Sequence, residues 1–128
     1  MRLLDANLNR LKEGVRVVED IFRYKYNNKN LCLRLKELRH SAKLDLDANA
    51  LLDSRDINND VLKISIKSEK IRKNLKDILL ANFKRAQESA RVLEECLKLE
   101  HQADSSKFKQ LRYDLYELEK LAFLSLKT

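Results

Sequence analysis

Apolar residues recur at three- and four-residue steps along the start of the chain. Leu4, Leu8, Leu11, Val15, Val18 and Phe22 fall on one stripe of a helix with 3.6 residues per turn. The spacing predicts a helix over about 3–26. It is broken by Asn27-Asn28-Lys29-Asn30, because Asn tolerates left-handed backbone and competes for local hydrogen bonds. A second stripe of Leu31, Leu35, Leu38, Ala42 and Leu46 predicts a helix over about 31–52, followed by a polar loop from Asp53 to Asp60. Val61 to Ile66 has strand composition but no second strand to pair with, so an extended connector is expected. Ser68 is the expected N-cap of a third and longest helix reaching about 99. Asp104 or Ser105 is the expected cap of a fourth reaching about 126, with Phe108, Leu111, Leu115, Leu118 and Phe123 as its stripe. The expected fold is an all-α four-helix bundle in one domain, 1–128, with an antiparallel up-down arrangement.

The polar positions reveal an internal duplication. At an offset of 75, residues 4–20 align with 79–95, and 8 of the 17 positions are identical: Leu4/Leu79, Ala6/Ala81, Asn7/Asn82, Arg10/Arg85, Glu13/Glu88, Arg16/Arg91, Val17/Val92 and Glu19/Glu94. Gly14 stands opposite the small Ser89. At an offset of 73, Lys36, Leu38 and Arg39 match Lys109, Leu111 and Arg112, with His40 opposite Tyr113. The chain therefore reads as a duplicated helical hairpin, with repeats over about 3–52 and 68–126 and a polar linker over 53–67. Packing alone would keep apolar positions and let surface charge drift, yet Asn, Arg and Glu were kept. On a wheel at 100° per residue, Asn9, Arg10, Glu13, Arg16, Val17 and Asp20 lie within about 120°, away from the leucine stripe.

Two readings of that face stand side by side. One is an ion-pair row in solvent, zipped at i, i+3 and worth a few tenths of a kcal/mol per pair. The other is an anion site, with Arg forks on phosphate oxygens and carboxylates orienting them or holding a metal; the rows Arg10, Glu13, Arg16 and Arg85, Glu88, Arg91 are then expected to line one cleft across the pseudo-two-fold. Gly14 likewise serves either a close helix-helix approach or space for a substrate ring.

Composition narrows the chemistry. With one Gly and no Pro, neither a turn-rich β fold nor a Gly-rich phosphate loop can be written. Charged residues are 37% and hydrophobic residues 44%, too apolar for disorder. A net charge of +7 favours anionic partners. Cys32 and Cys96 are far apart, and His40 and His101 sit in no metal-ligand spacing, so two buried free thiols in a cytoplasmic protein are expected. No apolar run is long enough to span a membrane. Lys63, Lys67, Lys70, Arg72, Lys73 and Lys76 form a basic cluster, but no aromatic residues interleave it, so nucleic-acid binding is the weaker rival.

Asp5-Ala-Asn-Leu-Asn-Arg-Leu-Lys-Glu-Gly-Val-Arg-Val-Val-Glu-Asp20, Leu38-Arg-His40, Arg55-Asp56 and Asp60-Val61 form one half of a pattern. Ala81-Asn-Phe-Lys-Arg-Ala-Gln-Glu-Ser-Ala-Arg-Val-Leu-Glu-Glu95 and Leu111-Arg-Tyr-Asp-Leu-Tyr-Glu-Leu-Glu119 form the other. This resembles the small helical domain often fused ahead of thiamine-phosphate synthase, the alternative hydroxymethylpyrimidine-phosphate kinase, unrelated to the ribokinase-like enzyme of the same pathway. No synthase barrel follows Thr128, which fits a stand-alone copy or a fragment of a fusion. The resemblance implies phosphoryl transfer from ATP, with Mg²⁺, to hydroxymethylpyrimidine monophosphate, and thiamine-phosphate synthase as a partner. Arg10, Arg16, Arg39, Arg55, Arg85 and Arg91 would then replace a phosphate loop, with Asn7, Asn9, Asn82 and His40 beside them on the substrate. Glu13, Asp20, Glu88, Asp56 and Asp60 would hold metal or accept a proton. A non-catalytic module binding a phosphorylated metabolite or that partner remains the alternative, and a homodimer remains open. In the loop, Arg55 is expected on a ligand phosphate, or else in a structural ion pair.

Overall fold

The computed structural model describes residues 1–64 and 71–127. Helix α1, Arg2–Asp20, runs without a break into a single π-helical turn, Ile21–Lys25. Asn27, at φ 52°, then leaves the helix in the left-handed region, as its short polar side chain allows. Asn28 starts the next helix at once. Its side-chain oxygen accepts from the backbone N–H of Leu31, capping α2, Lys29–Ser41.

The second predicted helix is two elements. Ala42 turns out of the helical region at ψ 80°, and the Ser41 hydroxyl donates to the Leu38 carbonyl instead of continuing the ladder. A short helix α3, Ala48–Asp53, restarts where the Asp47 carboxylate accepts from the N–H of Asn49. Helix α4, Leu75–Leu97, is capped by Asn74, whose side chain accepts from the Asp77 N–H. The expected cap, Ser68, lies outside the described residues, as do positions 65 and 66 of the expected connector. Helix α5, Gln102–Ser125, begins before Asp104 and Ser105. These are not caps. Asp104 accepts from the Asp45 N–H and sits 3.6 Å from Lys107, while Ser105 donates to the Glu94 carbonyl at 2.7 Å. At 24 residues, α5 exceeds α4 by one, so the third long helix is not the longest.

The fold is all-helical, a bundle of two hairpins, α1–α2 and α4–α5. Helix α1 packs on α4 and α2, and α5 packs on α4 and α2, which closes a square with α3 attached to α1. Four of its sides meet and its diagonals do not, as antiparallel packing of hairpins requires. The predicted stripes fill the centre, where Leu11, Val15, Val18, Phe22, Leu35, Phe108 and Leu115 are all buried, and Phe83 of α4 joins them. Cys32 and Cys96 are free but half-buried rather than buried.

Gly14 sits at a close approach of two helices. A Cβ there would lie 3.0 Å from the backbone carbonyl of Asn82 and 3.4 Å from the Cβ of Ala86. The glycine serves close approach of α1 to α4, and a backbone atom cannot swing aside as a side-chain tip can. Gly14→Ala gains about 0.5–1 kcal/mol of helix propensity and loses about 1–3 kcal/mol to overpacking. Net destabilisation in thermal melts is the expected outcome, and a stabilised variant would show that the helices yield.

Candidate functional site

Two of the retained charges are buried bolts. Arg39 Nε donates to Glu19 Oε1 at 2.7 Å and its Nη2 to Oε2 at 3.2 Å, with Glu19 only 1% exposed. In the second repeat Arg112 Nε donates to Glu94 Oε2 at 3.1 Å, its Nη2 lies 3.0 Å away, and Glu94 is buried as well. Each pair ties the first helix of a hairpin to the second. A carboxylate withdrawn from water needs such a partner, which explains why both copies kept it. The hydrogen bond to Glu19 raises the pKa of Arg39 above its ordinary value. Arg39, expected on phosphate, is thus occupied by Glu19. His40 is exposed, without a hydrogen bond or ion pair among the described residues.

The retained asparagines are also tied down. The Nδ2 groups of Asn7 and Asn82 donate to the carbonyls of Leu3 and Ile78, four residues back, at 2.9 and 2.8 Å. This back-bonding holds both side chains beside the α1–α4 seam.

The loop after α3 is fastened to α1. Arg55 Nε and Nη2 donate to Asp5 at 2.9 and 3.0 Å, Arg2 donates to the Asp56 carbonyl at 2.8 Å, and Asn9 donates to Asp5 at 3.4 Å. Asp56 accepts from the backbone and side chain of Asn59, and Asp60 from the Leu62 N–H, so both carboxylates order the loop itself. Glu13 adds to the field that keeps Arg55 protonated, behind Asp5. The hydrogen bond from Arg55 holds the Asp5 carboxyl below its ordinary pKa against the effect of burial. The ion pair therefore stabilises the loop contact fully above the unfolded carboxyl pKa of about 4, and that contribution disappears as pH falls through the lower folded value. Hydrogen exchange of 53–60 should quicken on that descent. Arg55→Ala should quicken it already at neutral pH; unchanged exchange in the variant would show that the pair does not hold the loop.

Of the remaining candidate charges, Glu88 and Arg91 lie in a groove of about 440 Å³ between α4 and α5, lined by Lys84, Gln87, Glu88, Arg91, Arg112 and Tyr116. Lys84 Nζ donates to Glu119 Oε1 at 3.1 Å and, more weakly, to Gln87 Oε1 at 3.4 Å. Gln87 is 3% exposed, and its Nε2 has no hydrogen-bond partner; Glu119 Oε2 has none either. Arg91 lies 3.3 Å from Glu95 and 3.7 Å from Glu94 yet keeps half its side chain in solvent. The Arg112 guanidinium stands 5.0 and 5.9 Å from the ring centres of Tyr113 and Tyr116. Its pKa is raised chiefly by Tyr116 and then by Glu94. Among the described residues no hydrogen bond or ion pair engages Arg10, Arg85 or Glu88.

Of the two polar rows, only Glu88 and Arg91 of the second line this groove. The walls of the α4–α5 groove include no residue of α1. The first repeat's counterpart flank lies between α1 and α2, across the square. There Arg16 Nε is 3.2 Å from Asp20 Oδ1, off the hydrogen-bond line, and that oxygen is buried without a hydrogen bond. Lys84, Gln87, Tyr116 and Glu119 were not singled out from the sequence as site residues. Their only signal was divergence, since they stand opposite Asn9, Lys12, Lys43 and Leu46.

Among the described residues no group of three His, Cys, Asp or Glu side chains could hold a metal ion. Mg²⁺ needs no such cage, since it is commonly held by one or two carboxylates and substrate phosphates. The unpaired Glu88 fits that role in this groove. No helix of the described residues is long and apolar enough to cross a membrane.

A duplicated helical hairpin with a cationic groove on its flank defines the class of protein, and its sequence relatives define the family. The model of the ThiD2 family matches residues 2–121, so the chain belongs to that family. It is 41% identical over 119 residues to a thiamine-phosphate synthase of Synechocystis sp., covering 92% of this chain and 34% of that protein. A thiamine-phosphate synthase of Nostoc punctiforme is 39% identical over the same shares, and one of Prochlorococcus marinus is 37% identical over 121 residues, again 92% and 34%. The chain thus spans about a third of the length of these relatives. No solved structure matches it.

Proposed function

We propose that the chain works in thiamine biosynthesis as a kinase, moving the γ-phosphoryl group of ATP onto hydroxymethylpyrimidine monophosphate to give the diphosphate. The observation that supports this most is the α4–α5 groove, where Lys84 and Arg91 stand beside an unpaired Glu88 in a chain matched to the ThiD2 family over 2–121. Phosphoryl transfer asks a protein mainly for positioning and for charge stabilisation, and side-chain cations can supply both without a Gly-rich loop.

The acceptor in this reaction is a phosphate oxygen. With a second pKa near 6, a phosphomonoester is largely ionised at neutral pH. A general base is therefore not needed, and proton acceptance falls away as a role for Glu13, Asp20 and Glu88. Glu88 instead would hold Mg²⁺, which would supply positive charge against that of the phosphates. Arg91 and Lys84 would clamp the acceptor phosphate, with Glu119 anchoring the lysine. Arg10 and Arg85, exposed and without a side-chain partner among the described residues, are available to ATP. The diphosphate product is what a thiamine-phosphate synthase would consume, which fits the relatives' names.

Titration calorimetry with the pyrimidine phosphate and with ATP, followed by product detection, tests this reading. Binding and conversion are expected. Binding without conversion in the presence of Mg²⁺ would instead establish a non-catalytic module.

A further inference from the structure

We infer that the α4–α5 groove holds the pyrimidine ring itself, with the Gln87 amide reading its amino edge and Tyr116 forming a wall against its face. The inference rests on the function proposed above and assigns the part of the site that selects the ring. Gln87 is nearly wholly buried at the floor of the groove, and its Nε2 has no partner. A buried amide N–H left unpaired is costly, so such a group calls for an acceptor that is present in the working state. Its Oε1 has only the long 3.4 Å contact from Lys84, whose nearer partner is Glu119 at 3.1 Å. The amide is thus free to offer a donor and an acceptor side by side.

An aminopyrimidine edge presents the complement. Its ring nitrogen accepts from Nε2, and the adjacent exocyclic amine donates to Oε1. This is the bidentate pairing by which Gln or Asn recognises adenine. Tyr116, 42% exposed, supplies an aromatic surface, and the Arg112 guanidinium 5.9 Å from its ring centre braces it. Lys84 and Arg91 then face the phosphate. In the first repeat the same positions are Lys12, Asn9 and Lys43, which offer neither an amide at the floor nor an aromatic wall. Only the second repeat can read a ring in this way, so the duplicated halves have different ligand roles.

The test compares wild type with Gln87→Met by calorimetry, using hydroxymethylpyrimidine monophosphate and an analogue in which hydrogen replaces the exocyclic amine. Wild type should favour the amino compound, and Gln87→Met should bind it about tenfold or more weakly while binding the analogue as wild type does. Equal binding of the amino compound by both proteins overturns the ring assignment alone. No binding by wild type overturns the proposed function and the assignment with it. If Gln87→Met does not fold, NMR of the wild-type protein decides. The Gln87 side-chain amide protons should shift downfield when the amino compound binds, and unmoved resonances on a binding protein would refute the assignment.

Discussion

Replacing Arg39 with Met should lower the stability of the folded chain by about 3 kcal/mol, and replacing Arg112 with Met should do nearly the same. Both effects come from the carboxylates left behind. Glu19 and Glu94 are buried, and without a guanidinium each must stay charged in an apolar seam or take up a proton at neutral pH. Pairing Glu19→Gln or Glu19→Leu with Arg39→Met should recover much of the loss, because removing both charges removes the desolvation cost. Arg16→Ala is the contrast. Its pair with Asp20 is about half exposed on both sides, so the change should cost well under 1 kcal/mol. Urea midpoints of these variants measure the difference. Equal midpoints for Arg39→Met and Arg16→Ala would refute a structural role for the buried pair.

The second large effect is on turnover. Arg91→Ala should reduce conversion of the pyrimidine phosphate by about 10²-fold, the usual loss when one preorganised group that stabilises charge in the transition state is removed. The fold should survive, since more than half of the Arg91 side chain is in solvent and its partners Glu94 and Glu95 keep Arg112 and Lys98. Arg16→Ala changes the matching residue of the first repeat and should leave turnover within a few-fold. Equal losses for the two variants would mean that both flanks serve the reaction, against the assignment to α4–α5.

The leucine stripes, the duplication and the Asn27-Asn28 break were all readable from the sequence, because each is a local pattern with a local cause. Element ends were less so. The break at Ala42 has no Gly or Pro to announce it, and Asp47 became a cap only once the chain had already left α2. The site was legible in part. Retention of Arg39/Arg112 and Glu19/Glu94 was visible, but retention cannot separate a buried bolt from a ligand contact; burial does. Arg55 shows the same ambiguity, and its partner Asp5 lies 50 residues away in sequence, beyond the reach of any local pattern. Gln87 and Tyr116 lay hidden for the opposite reason. A search for what two copies share passes over the positions where one copy acquired something new.

Phosphorus NMR of the purified chain with ATP, Mg²⁺ and hydroxymethylpyrimidine monophosphate shows whether the chain transfers the phosphoryl group. The phosphomonoester signal of the pyrimidine should give way to the paired signals of a diphosphate as ADP accumulates. The Arg91→Ala protein should do this about a hundredfold more slowly. An unchanged pyrimidine monophosphate signal beside intact ATP, in a folded protein shown to bind both compounds, would contradict that transfer.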